Sequence, residues 1–325
     1  MKKLLCLLAL SGAFSAALAA GPLEKTECIA PAKPGGGFDL TCKLAQTSLF
    51  DAQAIKDPMR VTYMPGGIGA VAYNAVIGQR PGEGNVIVAY SGGSLLNLAQ
   101  GKFGRYNESD VRWLAAVGTD YGAIVVRKDS PLKNLKDLAA ALKADSTKVV
   151  FGAGGTVGSQ DWMKAALTAK IAGIDFKAMR FVAFEGGGEA ITALQGGHVH
   201  VYSGDASEAA SQIKAGANIR VIAVMADKRL PGMLVDVPTA REQGFDIEWP
   251  IIRGFYMGPK VSDADFKIWT DAFNKLMATP AFAKLQEERG LFPFAMTGAP
   301  LDAYIKKTTE TYRKLAGEFG LLGPK

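Results

Sequence analysis

Apolar residues fall into short continuous runs, each broken by glycine or proline and followed by a stretch in which apolar positions return every three or four residues. The runs read as strands buried on both faces, and the periodic stretches as helices that cover them. The pattern predicts strands near 60–64, 85–90, 111–118, 148–153, 180–184, 200–203, 220–225 and 251–257, with an earlier one leading from Cys28 into a Pro/Gly turn. Helices are predicted at 38–50, 69–79, 94–100, 156–172, 189–195 and 205–215, a short one after Val237-Pro238-Thr239, and a helical tail at 264–278, 280–289 and 301–319. Thr119-Asp120-Tyr121-Gly122 separates the strand at 111–118 from the next apolar run. The run 123–126 then leads into Arg127-Lys128-Asp129-Ser130-Pro131, a natural crossing between domains, with Ser130 or Asn134 placed to cap the next helix. Such β/α alternation makes this an α/β chain. It divides into a first lobe, residues 20–122 and 250–325, and a second lobe, 123–249, inserted within it, with a cleft between the two.

Glycine marks the places where strands give way to helices. Clusters stand at Gly35-Gly36-Gly37, Pro65-Gly66-Gly67-Ile68-Gly69, Ser91-Gly92-Gly93-Ser94, Gly152-Ala153-Gly154-Gly155-Thr156-Val157-Gly158-Ser159 and Gly186-Gly187-Gly188. Three glycines in a row, as at 35–37, let the backbone approach a bound group closely. They also leave the first N–H groups of the helix at Phe38 without internal acceptors. Helix starts of this kind favour anions, carboxylates among them. Ligands of open α/β sheets lie at the carboxyl ends of strands, so the repeated device predicts a pocket walled by backbone amides.

The N-terminus reads differently. Lys2 and Lys3, the apolar stretch 4–10 and Ala17-Leu18-Ala19 match a cleaved secretory signal spanning residues 1–19, and the stretch is shorter than the roughly 20 apolar residues of a membrane span. Removing 19 of 325 residues leaves 306, a length that suits two domains, and lowers the formal charge from +6 to +4. Charge this mild and this scattered carries no nucleic-acid signature but suits an anionic small ligand. The remaining cysteines are Cys28 and Cys42; outside the cytoplasm they either join in one disulfide or stay as two buried thiols.

Several motifs taken in order carry a family resemblance. They are Pro31-Ala32-Lys33-Pro34-Gly35-Gly36-Gly37-Phe38-Asp39, Pro65-Gly66-Gly67-Ile68-Gly69-Ala70, Gly154-Gly155-Thr156-Val157-Gly158-Ser159 and Phe184-Glu185-Gly186-Gly187-Gly188. Lys228-Arg229-Leu230-Pro231, Asp236-Val237-Pro238-Thr239 and Glu242-Gln243-Gly244 extend the match along the chain. Together they resemble the extracytoplasmic substrate-binding receptors of tripartite tricarboxylate transporters, also called Bug receptors. The stretch from Thr26 to Pro34 and Trp249-Pro250-Ile251-Ile252-Arg253-Gly254-Phe255-Tyr256 look closest to members serving tricarboxylates such as citrate. The resemblance implies a two-lobed periplasmic binding protein (Venus-flytrap) fold and a monomer without cofactor. Such a receptor delivers a carboxylate to one large and one small integral membrane subunit. It also implies that the turns at 34–39 and 156–159 hold the ligand through backbone amides and hydroxyls.

Chemistry then sorts the candidate ligand residues. Pro34, Gly35, Gly36, Gly37, Phe38, Gly66, Gly67, Gly92, Gly93, Val157, Gly158 and Gly186 offer backbone at the turns. A partly buried helix start contributes up to about 2 kcal/mol to an anion, whereas micromolar binding needs about 8. One or two carboxylates can be held this way with added hydrogen bonds, but a third buried without a cation is costly. Lys33 and Arg253 are the candidate cations, with a surface charge or an interlobe ion pair as the alternative for each. Ser91, Ser94, Thr156 and Ser159 either donate hydroxyls or cap helices. Gln160 is a first-turn residue with a free amide. Asp39 fixes its loop or a water, and Glu185 and Asp205 order turns or meet a ligand hydroxyl. Tyr90 and Trp162 read as core.

Enzymatic alternatives fare poorly. Gly152-x-Gly154-x-x-x-Gly158 misses the dinucleotide spacing. His198 and His200, the only histidines, have no Cys or carboxylate pattern to complete a metal site. There is no G-x-S-x-G elbow. The sequence therefore predicts a binding protein with neither catalytic residues nor a metal.

Overall fold

The computed structural model describes residues 23–323, so the expected signal segment lies outside the described residues. The chain opens with β1 (Glu27–Ala30), α1 (Gly37–Asp51), β2 (Arg60–Tyr63), α2 (Ala70–Gly78), β3 (Val86–Ser91) and α3 (Gly92–Ala99). β4 (Arg112–Arg127) is followed by α4 (Leu135–Ala144), β5 (Val150–Gly154), α5 (Gln160–Ile171), β6 (Arg180–Phe184), α6 (Gly187–Gln195), β7 (Val201–Asp205), α7 (Ala206–Lys214) and β8 (Ile219–Met225). β9 (Pro250–Met257), α8 (Asp263–Met277), α9 (Pro280–Glu288), β10 (Met296–Thr297) and α10 (Gly298–Glu318) complete it.

Strands β2, β1 and β3 are parallel, and β9 joins β3 antiparallel. Strands β5, β6 and β7 form a second parallel set. The two sets share β4, which pairs β9 as far as Tyr121 and pairs β7 and β8 from Gly122 onward. Strand periodicity explains why the runs are continuously apolar. Cys28, Ala30, Ile87 and Ala89 enter one core, while the alternating Ile29, Val86, Val88 and Tyr90 enter another on the opposite face. Ile124, Val126 and Phe151 against Ala123, Val125 and Val150 repeat the arrangement in the second set. Helices cover both faces, giving the two-lobed α/β architecture.

Three stretches depart clearly from expectation. Thr119-Asp120-Tyr121-Gly122 does not end the strand; it lies within a single strand of 16 residues. Its polar residues are satisfied by tertiary partners, with Thr119, Asp120 and Tyr121 opposite Ile252, Ile251 and Pro250 and the Asp120 carboxylate accepting from Ser207 N. The helix expected from 156 begins at Gln160 instead, because Gly155 and Gly158 take positive φ of 81° and 83°. Ser159 then caps it, its hydroxyl accepting from Trp162 N at 3.2 Å. The stretch after Val237 forms only a short 3-10 turn at Arg241–Gln243.

Two further contacts bear on the site. Cys28 and Cys42 are bonded, tying β1 to α1 across the first glycine turn. The tail also reaches the second lobe's core: Phe319 packs against Trp162 at 6.3 Å between centroids, beside Leu96 of α3.

Candidate functional site

The glycine turns of the two lobes meet each other. A Cβ on Gly188 would lie 2.8 Å from the Pro34 carbonyl oxygen, and one on Gly36 would lie 3.5 Å from Gly187 N. A Cβ on Gly37 would collide with the Arg253 guanidinium. Gly36 and Gly188 therefore serve the approach of one lobe to the other, and Gly37 makes room for the Arg253 guanidinium. The first amide of α1 is also occupied: Gly37 N donates to the buried Glu208 carboxylate of α7. A side chain of the protein thus stands where the sequence led us to expect a ligand anion.

Behind this contact lies a buried ionic network. Arg253 donates to Asp120 at 3.2 Å and to Asp205. Lys164, wholly buried on α5, reaches Asp205 at 2.7 Å, Asp161 at 2.8 Å and the Gly204 carbonyl at 2.6 Å. Asp120, Asp161, Asp205 and Glu208 are four carboxyls against two cations. Burial works to raise the Asp205 carboxyl, but Lys164 and Arg253 outweigh it and hold it below the usual range. Asp120 is raised by burial and then by Asp205. Burial, helped by Asp205 and Asp161, pushes Glu208 up to about 8, and burial raises Asp161 to about 6.

A prediction follows for Glu208. Its folded value of about 8 exceeds the ordinary 4.5, so the folded state holds its proton and the stability it contributes declines as pH rises between those values. Glu208→Gln keeps acceptor capacity for Gly37 N and stays neutral. Thermal midpoints measured from pH 5 to 8 should fall less steeply in the variant than in the parent protein.

A cavity of about 460 Å³ is lined by Gly67, Ile68, Asn97, Lys102, Gly155, Thr156, Ala183, Phe184, Glu185 and Glu189, with no member of the network among them. That volume falls within the range of small-molecule sites. Ile68 sits at φ 47°, a left-handed conformation costly for a β-branched residue. Its side chain packs where a Cβ on Gly155 would come within 2.5 Å, closing one wall between the lobes. A larger groove of about 1010 Å³, lined by parts of α7 and α9 and by residues 231–234, includes none of the glycine turns.

Of the expected residues, Gly67, Thr156 and Glu185 line the cavity. Lys33 does not; its ammonium pairs with Glu189 at 2.5 Å. Both expected ligand cations thus already have carboxylate partners across the lobes, the alternative open for each from sequence. Ser91 and Ser94 form a capping box on α3. Asp39 accepts from Gly35 N at 2.8 Å, from Lys43 at 2.8 Å and from Tyr63 Oη at 2.9 Å, holding the first turn. Gln160 points Nε2 toward Asp205 at 3.4 Å, and its buried Oε1 has no partner. Phe38, Tyr90 and Trp162 are core. His200 Nδ1 accepts from Val150 N, and no metal-binding cluster occurs among the described residues.

Sequence reading missed Lys102, Asn97, Lys164, Glu208 and Asp120. Lys164 carried a usable hint, a lone lysine in the apolar stretch Trp162-Met163-Lys164-Ala165-Ala166. Glu208 and Asp120 had no local signal, since their partners come from distant segments.

The model of the tripartite tricarboxylate transporter family receptor, TctC, matches residues 101–321. The chain belongs to that family. TctC-family proteins are substrate-binding receptors and not enzymes. A UPF0065 protein from the TAR-I ttuE-ttuC' intergenic region of Agrobacterium vitis is 25% identical over 308 residues, 92% of this chain and 85% of the relative. The UPF0065 protein in the gbd 5' region of Cupriavidus necator is 25% identical over 305 residues, covering 83% and 90%. Among solved structures, the periplasmic binding protein BugD superposes with a TM-score of 0.81 at 19% identity, covering 93% of this chain and 99% of its own. MatC from Rhodopseudomonas palustris with bound malate gives 0.76 at 19% identity, covering 90% and 99%. These likenesses establish the receptor fold. No described helix is long and apolar enough to cross a membrane.

Proposed function

We propose that this TctC-family chain is a periplasmic receptor for a citrate-like tricarboxylate, which it presents to a large and a small membrane subunit. In this reading, residues 1–19 direct export. Residues 20–122 with 250–325 form one lobe and 123–249 the other, and they close by hinge motion about the β4 and β9 crossing. The observation that carries the reading is the cavity where Gly67 of one lobe faces Gly155 and Thr156 of the other, a space ligand must bridge. A dicarboxylate is the second reading, favoured by similar structures that hold malate and adipate. Calorimetry with citrate, isocitrate, tricarballylate, succinate, malate and glutamate tests both. Tightest binding of a tricarboxylate supports the first, and a dicarboxylate preference replaces it with the second.

Closure itself makes a prediction. Gly188→Ala adds a methyl 2.8 Å from the Pro34 carbonyl oxygen, and overpacking of this kind costs about 1–3 kcal/mol. The cost falls on the closed form, so ligand affinity should drop roughly tenfold while the unliganded thermal midpoint holds steady. Calorimetry beside thermal unfolding separates the two effects.

A further inference from the structure

We propose that Lys102 is the specificity-determining cation of the cleft, taking one carboxylate of a polycarboxylate ligand; the inference rests on the receptor reading above. Among the residues lining the cavity it alone is cationic. Lys33 is engaged with Glu189 and Arg253 with Asp120 and Asp205, whereas Lys102 has no carboxylate within ion-pair distance among the described residues. Its ammonium donates to the Val157 carbonyl at 2.6 Å, across from its own lobe to the turn that carries Thr156. An ammonium has three protons, so this contact leaves donors for a ligand. Lys102 is exposed at the mouth of the cavity, and the protein around its ammonium lowers its pKa by desolvation.

The backbone under Lys102 is fixed. Lys102 N donates to the Asn97 carbonyl at 3.0 Å, and the neighbouring Phe103 is 1% exposed in the core. Asn97 provides an independent observation. Asn97 lines the same cavity, is 3% exposed, and has a buried side-chain oxygen without any partner. A buried polar atom is normally satisfied, so a rotation of this amide toward the cavity would give its oxygen a partner on a ligand hydroxyl. Thr156 lines the cavity as well. A ligand carboxylate beside Lys102 would gain a charge-assisted hydrogen bond in a partly desolvated site.

Lys102→Met, with Lys102→Arg as the charge-preserving control, tests this by calorimetry with citrate over a range of salt concentrations. Removing a hydrogen bond to a charged group predicts at least a roughly tenfold loss of affinity in Lys102→Met. It also predicts a flatter dependence on salt, because the screened attraction has gone. Lys102→Arg should stay within about threefold of the parent and keep its salt slope. Unchanged affinity in Lys102→Met overturns the inference alone, as does a loss with the salt slope intact, which would mark the amine as a clasp on Val157. Failure of the parent protein to bind any organic acid overturns the receptor reading together with it.

Discussion

Arg253→Ala is expected to destabilise the protein by about 3–5 kcal/mol, the cost of stranding buried carboxylates. The argument turns on burial. Ion pairs at a surface are worth about 0–1 kcal/mol, and Lys33 with Glu189 belongs to that class. Arg253 is 2% exposed, and its partners Asp120 and Asp205 are 0% and 3% exposed. Without the guanidinium, Lys164 alone faces Asp161 and Asp205, and Asp120 loses its only cation. Urea unfolding measures the loss. Adding Asp120→Asn and Asp205→Asn to Arg253→Met should recover much of it, because the network would then lack uncompensated charge. A loss under about 1 kcal/mol in Arg253→Ala would mean that water screens the network.

Cys28→Ala/Cys42→Ala should cost about 3 kcal/mol, the loop entropy returned to the unfolded chain when a bridge of this span is removed. The sequence separation is 14 and both cysteines are fully buried. Alanine avoids burying a new hydroxyl. The bridge also frames the turn at 31–37, where Gly35 takes φ 89° and Asp39 holds its amide, so the effect should concentrate there. A reductant should lower the urea midpoint of the parent protein and leave that of the double variant unchanged. Equal midpoints with and without reductant in the parent would show that the bond adds no stability.

Much of the architecture was readable because it rests on local pattern. The strand expected at 180–184 has those bounds, and of the two candidate caps, Ser130 and Asn134, it is Asn134 that caps the helix, accepting from Asp137 N. Errors arose where distant partners override propensity. Asp120 in the middle of a strand looks like a turn residue until Arg253, Ser207 and β9 surround it. The candidate site was legible at its backbone and illegible in its charges. The glycine turns do converge, yet Gly36 and Gly188 make room for the opposite lobe and Gly37 for Arg253, which local spacing does not reveal. Arg253 was visible as an unusual charge within an apolar strand, but its two carboxylate partners lie 133 and 48 positions away. Lys102, flanked by Gly101 and Gly104, resembled an ordinary surface turn.

The most direct measurement is a crystal structure of the protein grown with citrate. Our account predicts citrate density within the cavity between Gly67 and Thr156, with Lys102 beside a carboxylate. Density confined to the groove beside α7 and α9, or a cavity left empty at saturating citrate, would contradict it.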